Sequence, residues 1–225
     1  MVVYPVEFEG VSLYSKDKKT FLENISFKLQ ENQKVFIVGI REKERNLIQK
    51  AIVGLVKPDL GTIKIMGKDI NQLSKKELYE MRKKIGFVQA EEGLIRNISI
   101  SDNITLPLDF DPEIDDNLMK ERLDNLSKIF SLENLLNKKS WALDGFIEKK
   151  ILFARALSSK PLILLINEPN TYIDRKDIDE MKNIIDSGLL YGFLSENPLV
   201  VITTEYREWA KNTGDMIIHL RNNSL

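Results

Sequence analysis

The sequence contains no cysteine, which excludes disulfide bonds and thiolate metal centres. Its only histidine is His219, in the run Met216-Ile217-Ile218-His219-Leu220. One histidine cannot build a His-rich metal site, and this one reads as a strand-end residue near the surface. Net charge is nearly absent, since 33 basic side chains meet 34 acidic ones. Nucleic-acid binding calls for a clustered basic excess, so no nucleic-acid partner is expected. Long apolar runs are missing as well. The longest, Leu162 to Ile166 and Leu199 to Ile202, fall far short of the ~20 residues that span a bilayer. The start, Met1-Val2-Val3-Tyr4-Pro5-Val6-Glu7, has neither the basic segment nor the apolar stretch of a secretory leader. These absences point to a soluble intracellular chain that reaches a membrane only by docking on a protein that spans it.

What is present suits one large α/β domain, with 225 residues of which 43% are hydrophobic and 30% charged. No internal repeat or low-complexity linker appears. Val2 to Phe8 and Asn24 to Leu29 read as strands, the second with Ile25, Phe27 and Leu29 alternating against polar neighbours. Lys34 to Gly39 is a buried-strand run ending in glycine. Glu44 to Leu55 follows as a helix with Leu47, Ile48, Ala51 and Leu55 on one face. Gly61 to Ile65 and Ile85 to Val88 read as strands, and Ser74 with Glu77 forms a capping box opening a helix to about Lys84. Asp116 to Phe130, Phe146 to Ser159 and Asp177 to Leu189 read as helices. Leu162 to Ile166, Leu199 to Thr203 and Met216 to Leu220 complete the strands. An antiparallel start followed by alternating strands and helices predicts an α/β core with parallel strands. The mainly helical stretch from about residue 91 to 159 reads as an insertion into a core of about 1–90 and 160–225.

Several landmarks then fall in a telling order. The strand ending at Gly39 is followed by a helix closing on Ala51-Ile52-Val53-Gly54-Leu55, then Pro58-Asp59-Leu60-Gly61-Thr62-Ile63 and Ile85-Gly86-Phe87-Val88. Asp102-Asn103-Ile104, Ala154-Arg155-Ala156-Leu157 and Pro161-Leu162-Ile163-Leu164-Leu165-Ile166-Asn167-Glu168-Pro169 come next, with Asp174 and Val200-Val201-Ile202-Thr203-Thr204-Glu205 behind them. This ordered set resembles an ABC transporter ATPase subunit from end to end. The resemblance implies a P-loop NTPase-like cassette with a mostly parallel core sheet, an antiparallel N-terminal β-subdomain and an inserted helical subdomain.

The positions that carry chemistry in that family are altered here. A phosphate loop needs G-x-x-x-x-G-K-[ST], whose glycines let backbone N–H groups form a nest around phosphate. The segment reads Gly39-Ile40-Arg41-Glu42-Lys43-Glu44-Arg45-Asn46. Glu42 and Glu44 stand where the family has glycine, adding both a Cβ and a negative charge beside a triphosphate. Arg45 replaces the lysine, and Asn46 replaces the hydroxyl residue that holds magnesium. A plain strand-to-helix turn is the favoured reading of 39–47, with weak anion binding left open.

The resemblance implies further losses. The aspartate that orders magnesium is Asn167, while the following glutamate is retained as Glu168. An ion pair between Arg45 and Glu168 is expected to fill the space of the phosphate. The glutamine linking nucleotide to partner falls on Ala90, with Gln89 one place early. The histidine position is Thr204. The signature segment reads Leu143-Asp144-Gly145-Phe146-Ile147, with Asp144 for serine and Phe146 for the second glycine. Asp144 also reads as the N-cap of the next helix. The aromatic slot for adenine falls on Ser15, with Tyr14 one place off.

Together these imply a cassette with a degenerate ATP site that does not hydrolyse ATP. No cofactor is expected, and binding of ATP with magnesium is expected to be weak. The resemblance further implies a structural or regulatory subunit, cytoplasmic and peripheral on the inner face of the membrane, docked on a permease. It would pair as a homodimer or with another cassette. Ile104-Thr105-Leu106-Pro107-Leu108 is similar to a segment of cassettes for lipid or lipoprotein trafficking, which favours a lipid or cell-envelope setting. Two alternatives stay open: a slow but active ATPase, and a soluble scaffold without a transporter.

Overall fold

The structure is a computed structural model that describes residues 3–14, 21–89, 93–141 and 143–220. In chain order the elements are β1 (Val6–Tyr14), β2 (Phe21–Leu29), β3 (Gln33–Val38), α1 (Glu42–Ile52), β4 (Leu60–Ile65), β5 (Lys68–Asp69), α2 (Lys75–Lys83), β6 (Ile85–Val88), α3 (Ile100–Thr105), α4 (Asp116–Ile129), α5 (Gly145–Ser158), β7 (Ile163–Asn167), α6 (Arg175–Asp186), β8 (Leu199–Thr203), α7 (Arg207–Thr213) and β9 (Met216–His219). They fall into two compact units: Met1–Ile85 with Asn197–Leu225, and Gly86–Glu196.

In the first unit, β1 pairs antiparallel with β2 on one side and β4 on the other, and β5 extends β4. Val6, Phe8, Val11 and Leu13 of β1 are fully buried. Phe8 lies opposite Phe27 in register, and their rings stack 4.5 Å apart. Gly10 adopts φ +58°, and the register shifts between Phe8 and Val11. This bulge breaks the alternation, which is why the strand read as ending at Phe8 runs on to Tyr14.

The same unit holds a parallel set in which β3 lies between β8 and β9. Val35, Phe36, Ile37 and Val38 are completely buried, as expected of a strand covered on both faces. Trp209 of α7 meets Phe36 edge-on at 5.0 Å. β9 ends at His219, which is exposed, in line with its reading as a strand-end residue.

In the second unit, β6 lies beside β7, and every residue of β7 is buried. Helix α5 packs on α3 and α4, with Phe130 and Phe153 stacked at 6.2 Å. Arg122 donates to the Ser158 carbonyl at 2.9 Å, which satisfies an orphan acceptor at the end of α5.

Some boundaries differ from the sequence reading. Helix α1 begins at Glu42, not Glu44, because a capping box closes over Arg41. Helix α6 spans Arg175–Asp186 rather than reaching Leu189, because Gly188 at φ +77° turns the chain out of the helix. The short helices α3 and α7 were not anticipated. The capping box of α2 is present as read: Ser74 accepts from the Glu77 N–H, and Glu77 accepts from the Ser74 N–H at 2.9 Å. Ser74→Ala should therefore cost about 1 kcal/mol in urea unfolding, with no change in m-value.

Candidate functional site

The β3–α1 turn opens at Gly39, which adopts φ +92°. A Cβ there would lie 2.5 Å from the Leu220 carbonyl oxygen. Glycine is thus required by the chain's own C-terminal segment, whatever the turn binds. Arg41 follows in an extended conformation and is the N-cap of α1.

Glu44 then reaches back over the helix start. Its Oε2 accepts the Arg41 backbone N–H at 2.7 Å. Its Oε1 accepts Nε and Nη2 of Arg41 at 2.8 and 2.6 Å. The Glu44 side chain is wholly buried. A carboxylate in the first helical turn satisfies orphan donors and complements the positive end of the helix dipole. Arg45 is buried too, and its Nη1 donates to the Ile40 carbonyl. Asn46 is half-buried, whereas Glu42 and Lys43 are exposed. Gly39, Ile40, Arg41, Glu42, Arg45, Glu205 and Arg207 line a cavity of about 570 Å³. Arg207 was not singled out in the sequence, and Glu205 entered only as the end of the run from Val200, although two charges within three residues of Thr204 were a usable signal.

Thr204 is fully buried. Its N–H donates to the Ile37 carbonyl, and its hydroxyl accepts the Tyr206 N–H, each at 3.2 Å. The hydroxyl therefore builds the turn after β8. Beside it, Gln49 of α1 donates to the Thr203 hydroxyl at 3.2 Å. Tyr14 donates its hydroxyl to Glu23 at 3.1 Å. Ser15 and Ala90 lie outside the described residues.

In the second unit, Asn167 ends β7 and Glu168 starts the turn after it. Both are buried, and Glu168 adopts φ +44°, a conformation that is costly for a residue with a side chain. Asp144 caps α5 as expected, accepting the Phe146 N–H at 2.8 Å. A Cβ on Gly145 would lie 1.8 Å from the Tyr172 carbonyl oxygen, so glycine is obligatory there for packing.

One turn further along α5 lies Lys149, which the sequence reading did not select. Only 3% of it is exposed, and its Nζ donates to the Gln89 carbonyl at 3.2 Å. Burial pushes its amine from the ordinary 10.5 down to about 8, while the carboxylates of Glu168 and Glu148 pull the other way.

The family model described as "ABC transporter" matches residues 22–171. The chain belongs to the ABC transporter family. The energy-coupling factor transporter ATP-binding protein EcfA1 of Ureaplasma parvum is 27% identical to this cassette over 218 residues, covering 96% of it and 71% of that relative. The ABC transporter ATP-binding protein YxdL of Bacillus subtilis is 29% identical over 167 residues, covering 74% of this cassette and 65% of YxdL. Among solved structures, the ATP-binding cassette MJ0796 superposes with a TM-score of 0.82 at 26% identity, covering 96% of this chain and 94% of that one. MJ0796 was solved as a dimer in a post-hydrolysis state bound to ADP and Pi. The expected cassette architecture, with an antiparallel β-subdomain and a parallel sheet with helices, is the one this chain adopts. Among the described residues of the cassette, no helix is long and apolar enough to cross a membrane.

Two outcomes follow from this geometry. Gly145→Ala should lower stability by about 1–3 kcal/mol or more, because its Cβ would collide with backbone; chemical denaturation of the purified variant measures this. For Lys149, a folded pKa below the unfolded one means the folded cassette holds fewer protons between about pH 8 and 10.5. This group's contribution to stability therefore rises with pH across that window, by on the order of 3 kcal/mol. In denaturant titrations from pH 7 to 10.5, the native chain should gain stability relative to Lys149→Met.

Proposed function

We propose that this cassette is the nucleotide-binding-type subunit of an ABC transporter, works without hydrolysing ATP, and is a structural or regulatory partner of a membrane permease. The observation that carries this reading is the Glu44 carboxylate. It accepts the Arg41 N–H at the start of α1, the place where a phosphate group would seek its donors. Helix α1 also begins at Glu42, so residues that would form a glycine-rich nest are helical.

These residues do not fit Mg-ATP as a G-x-x-x-x-G-K-[ST] loop holds it. An incoming triphosphate meets a buried carboxylate that is already bonded to the nearest guanidinium. The hydroxyl of Thr204 is engaged in its own turn, and threonine lacks the charge of a histidine.

Docking on a permease, pairing with a second cassette and a peripheral place at the membrane belong to the same proposal. Their support is family membership and the dimeric MJ0796 cassette. A lipid or cell-envelope cargo rests on the Ile104–Leu108 segment alone. The name of the Ureaplasma parvum relative concerns energy coupling instead.

Calorimetric titration with Mg-ATP, paired with a phosphate-release assay, tests the reading. The expected result is no micromolar binding and no turnover above background, with Glu168→Gln changing neither. Micromolar binding with hydrolysis that Glu168→Gln abolishes would establish the other reading, an active ATPase that uses its retained glutamate.

A further inference from the structure

We infer that the turn after β7, residues 168–172, is a two-state element: the start of α5 holds it in a strained form, and it relaxes when that contact opens. The inference goes beyond the functional reading above, because such a device needs neither nucleotide nor hydrolysis.

Three features raise the energy of the turn as it stands. Glu168 adopts φ +44° and Tyr172 φ +64°, so one short turn carries two left-handed residues with side chains. Glu168 also precedes Pro169, whose ring pushes the residue before it toward extended conformations at negative φ. Between them the Asn170 side chain is buried, with only 5% exposed. Neither its Oδ1 nor its Nδ2 has a hydrogen-bond partner among the described residues. A buried amide with both ends unmatched has lost its water without a replacement. Such costs persist only where the surroundings over-determine the backbone.

The brace is α5. A Cβ on Gly145 would lie 1.8 Å from the Tyr172 carbonyl oxygen and 3.9 Å from the Ile173 Cα, so backbone presses on backbone. The helix start is itself fixed, because Asp144 caps it through the Phe146 N–H. Tyr172 is 64% exposed, so burial of its ring is not what selects the left-handed conformation. Within the turn, the Thr171 N–H donates to the Glu168 carbonyl at 3.1 Å. Withdrawal of α5 from the Tyr172 carbonyl frees that residue to return to negative φ. In this second form the Asn170 amide turns outward and water satisfies it. The position of α5 thereby sets the state of the turn that carries Glu168, and the coupling runs both ways.

The test combines thermal denaturation with ¹⁵N relaxation dispersion on the full chain. Asn170→Leu keeps the approximate size of the side chain and removes the unmatched amide, so Tm should rise by about 3 °C. Dispersion in the native chain should detect a minor form of the turn, populated at about 1%. Tyr172→Gly, which reaches φ +64° without strain, should suppress that form. Gly145→Ala should do the opposite, moving the backbone shifts of the turn to those of the minor form while α5 stays helical. A lower Tm for Asn170→Leu, flat dispersion in the native chain, dispersion unchanged by Tyr172→Gly, or native turn shifts in Gly145→Ala would each overturn the inference. Should Gly145→Ala fail to fold, the other two variants decide alone. None of these readouts involves nucleotide, so Mg-ATP turnover would sink the functional reading and leave this inference standing.

Discussion

The start of helix α1 imposes the constraint around which the first unit's site is arranged. Its first N–H groups have no partner within the helix and must find acceptors elsewhere. In a phosphate-binding loop that acceptor is the ligand. Here it is Glu44, bonded at once to the Arg41 backbone and guanidinium. Once the carboxylate is seated, Arg41 is held, the helix starts at Glu42, and the chain between β3 and α1 contracts to a short turn. The cavity beside it is then rimmed by Arg41, Arg45 and Arg207 with Glu42 and Glu205, a mixed lining of charged side chains instead of a ring of backbone donors.

Two glycines at motif positions are explained by space. Gly39 has the Leu220 carbonyl where a Cβ would go, and Gly145 has that of Tyr172. A count of motif glycines would score both as signs of nucleotide binding. Close backbone approach accounts for each of them without a ligand.

The sequence made the fold legible because the strongest signals were long-range in order and apolar in kind. The buried runs behind β3, β7 and β8 were found within a residue of their observed ends, and the capping box of α2 was read directly. The bulge at Gly10 was not, because it interrupts the alternation on which strand reading depends. The altered phosphate loop was visible as glutamates at glycine positions, but the reading of them stopped at the added Cβ and the repulsion. It did not foresee that Glu44 would fold back onto Arg41, since a capping box with arginine as N-cap lacks the usual Ser or Thr signature. Lys149 was invisible for a different reason: lysines on helices are ordinarily solvated, and only the three-dimensional packing of α5 turns this one inward.

The contact between Gly145 and the Tyr172 carbonyl also has a mechanical meaning. Backbone meets backbone there with no side chain to yield between them. The turn after β7 and the first turn of α5 therefore behave as a strut. The spacing between these two backbones is thereby fixed, and α5, with α3 and α4 packed on it, is held in register with the turn after β7.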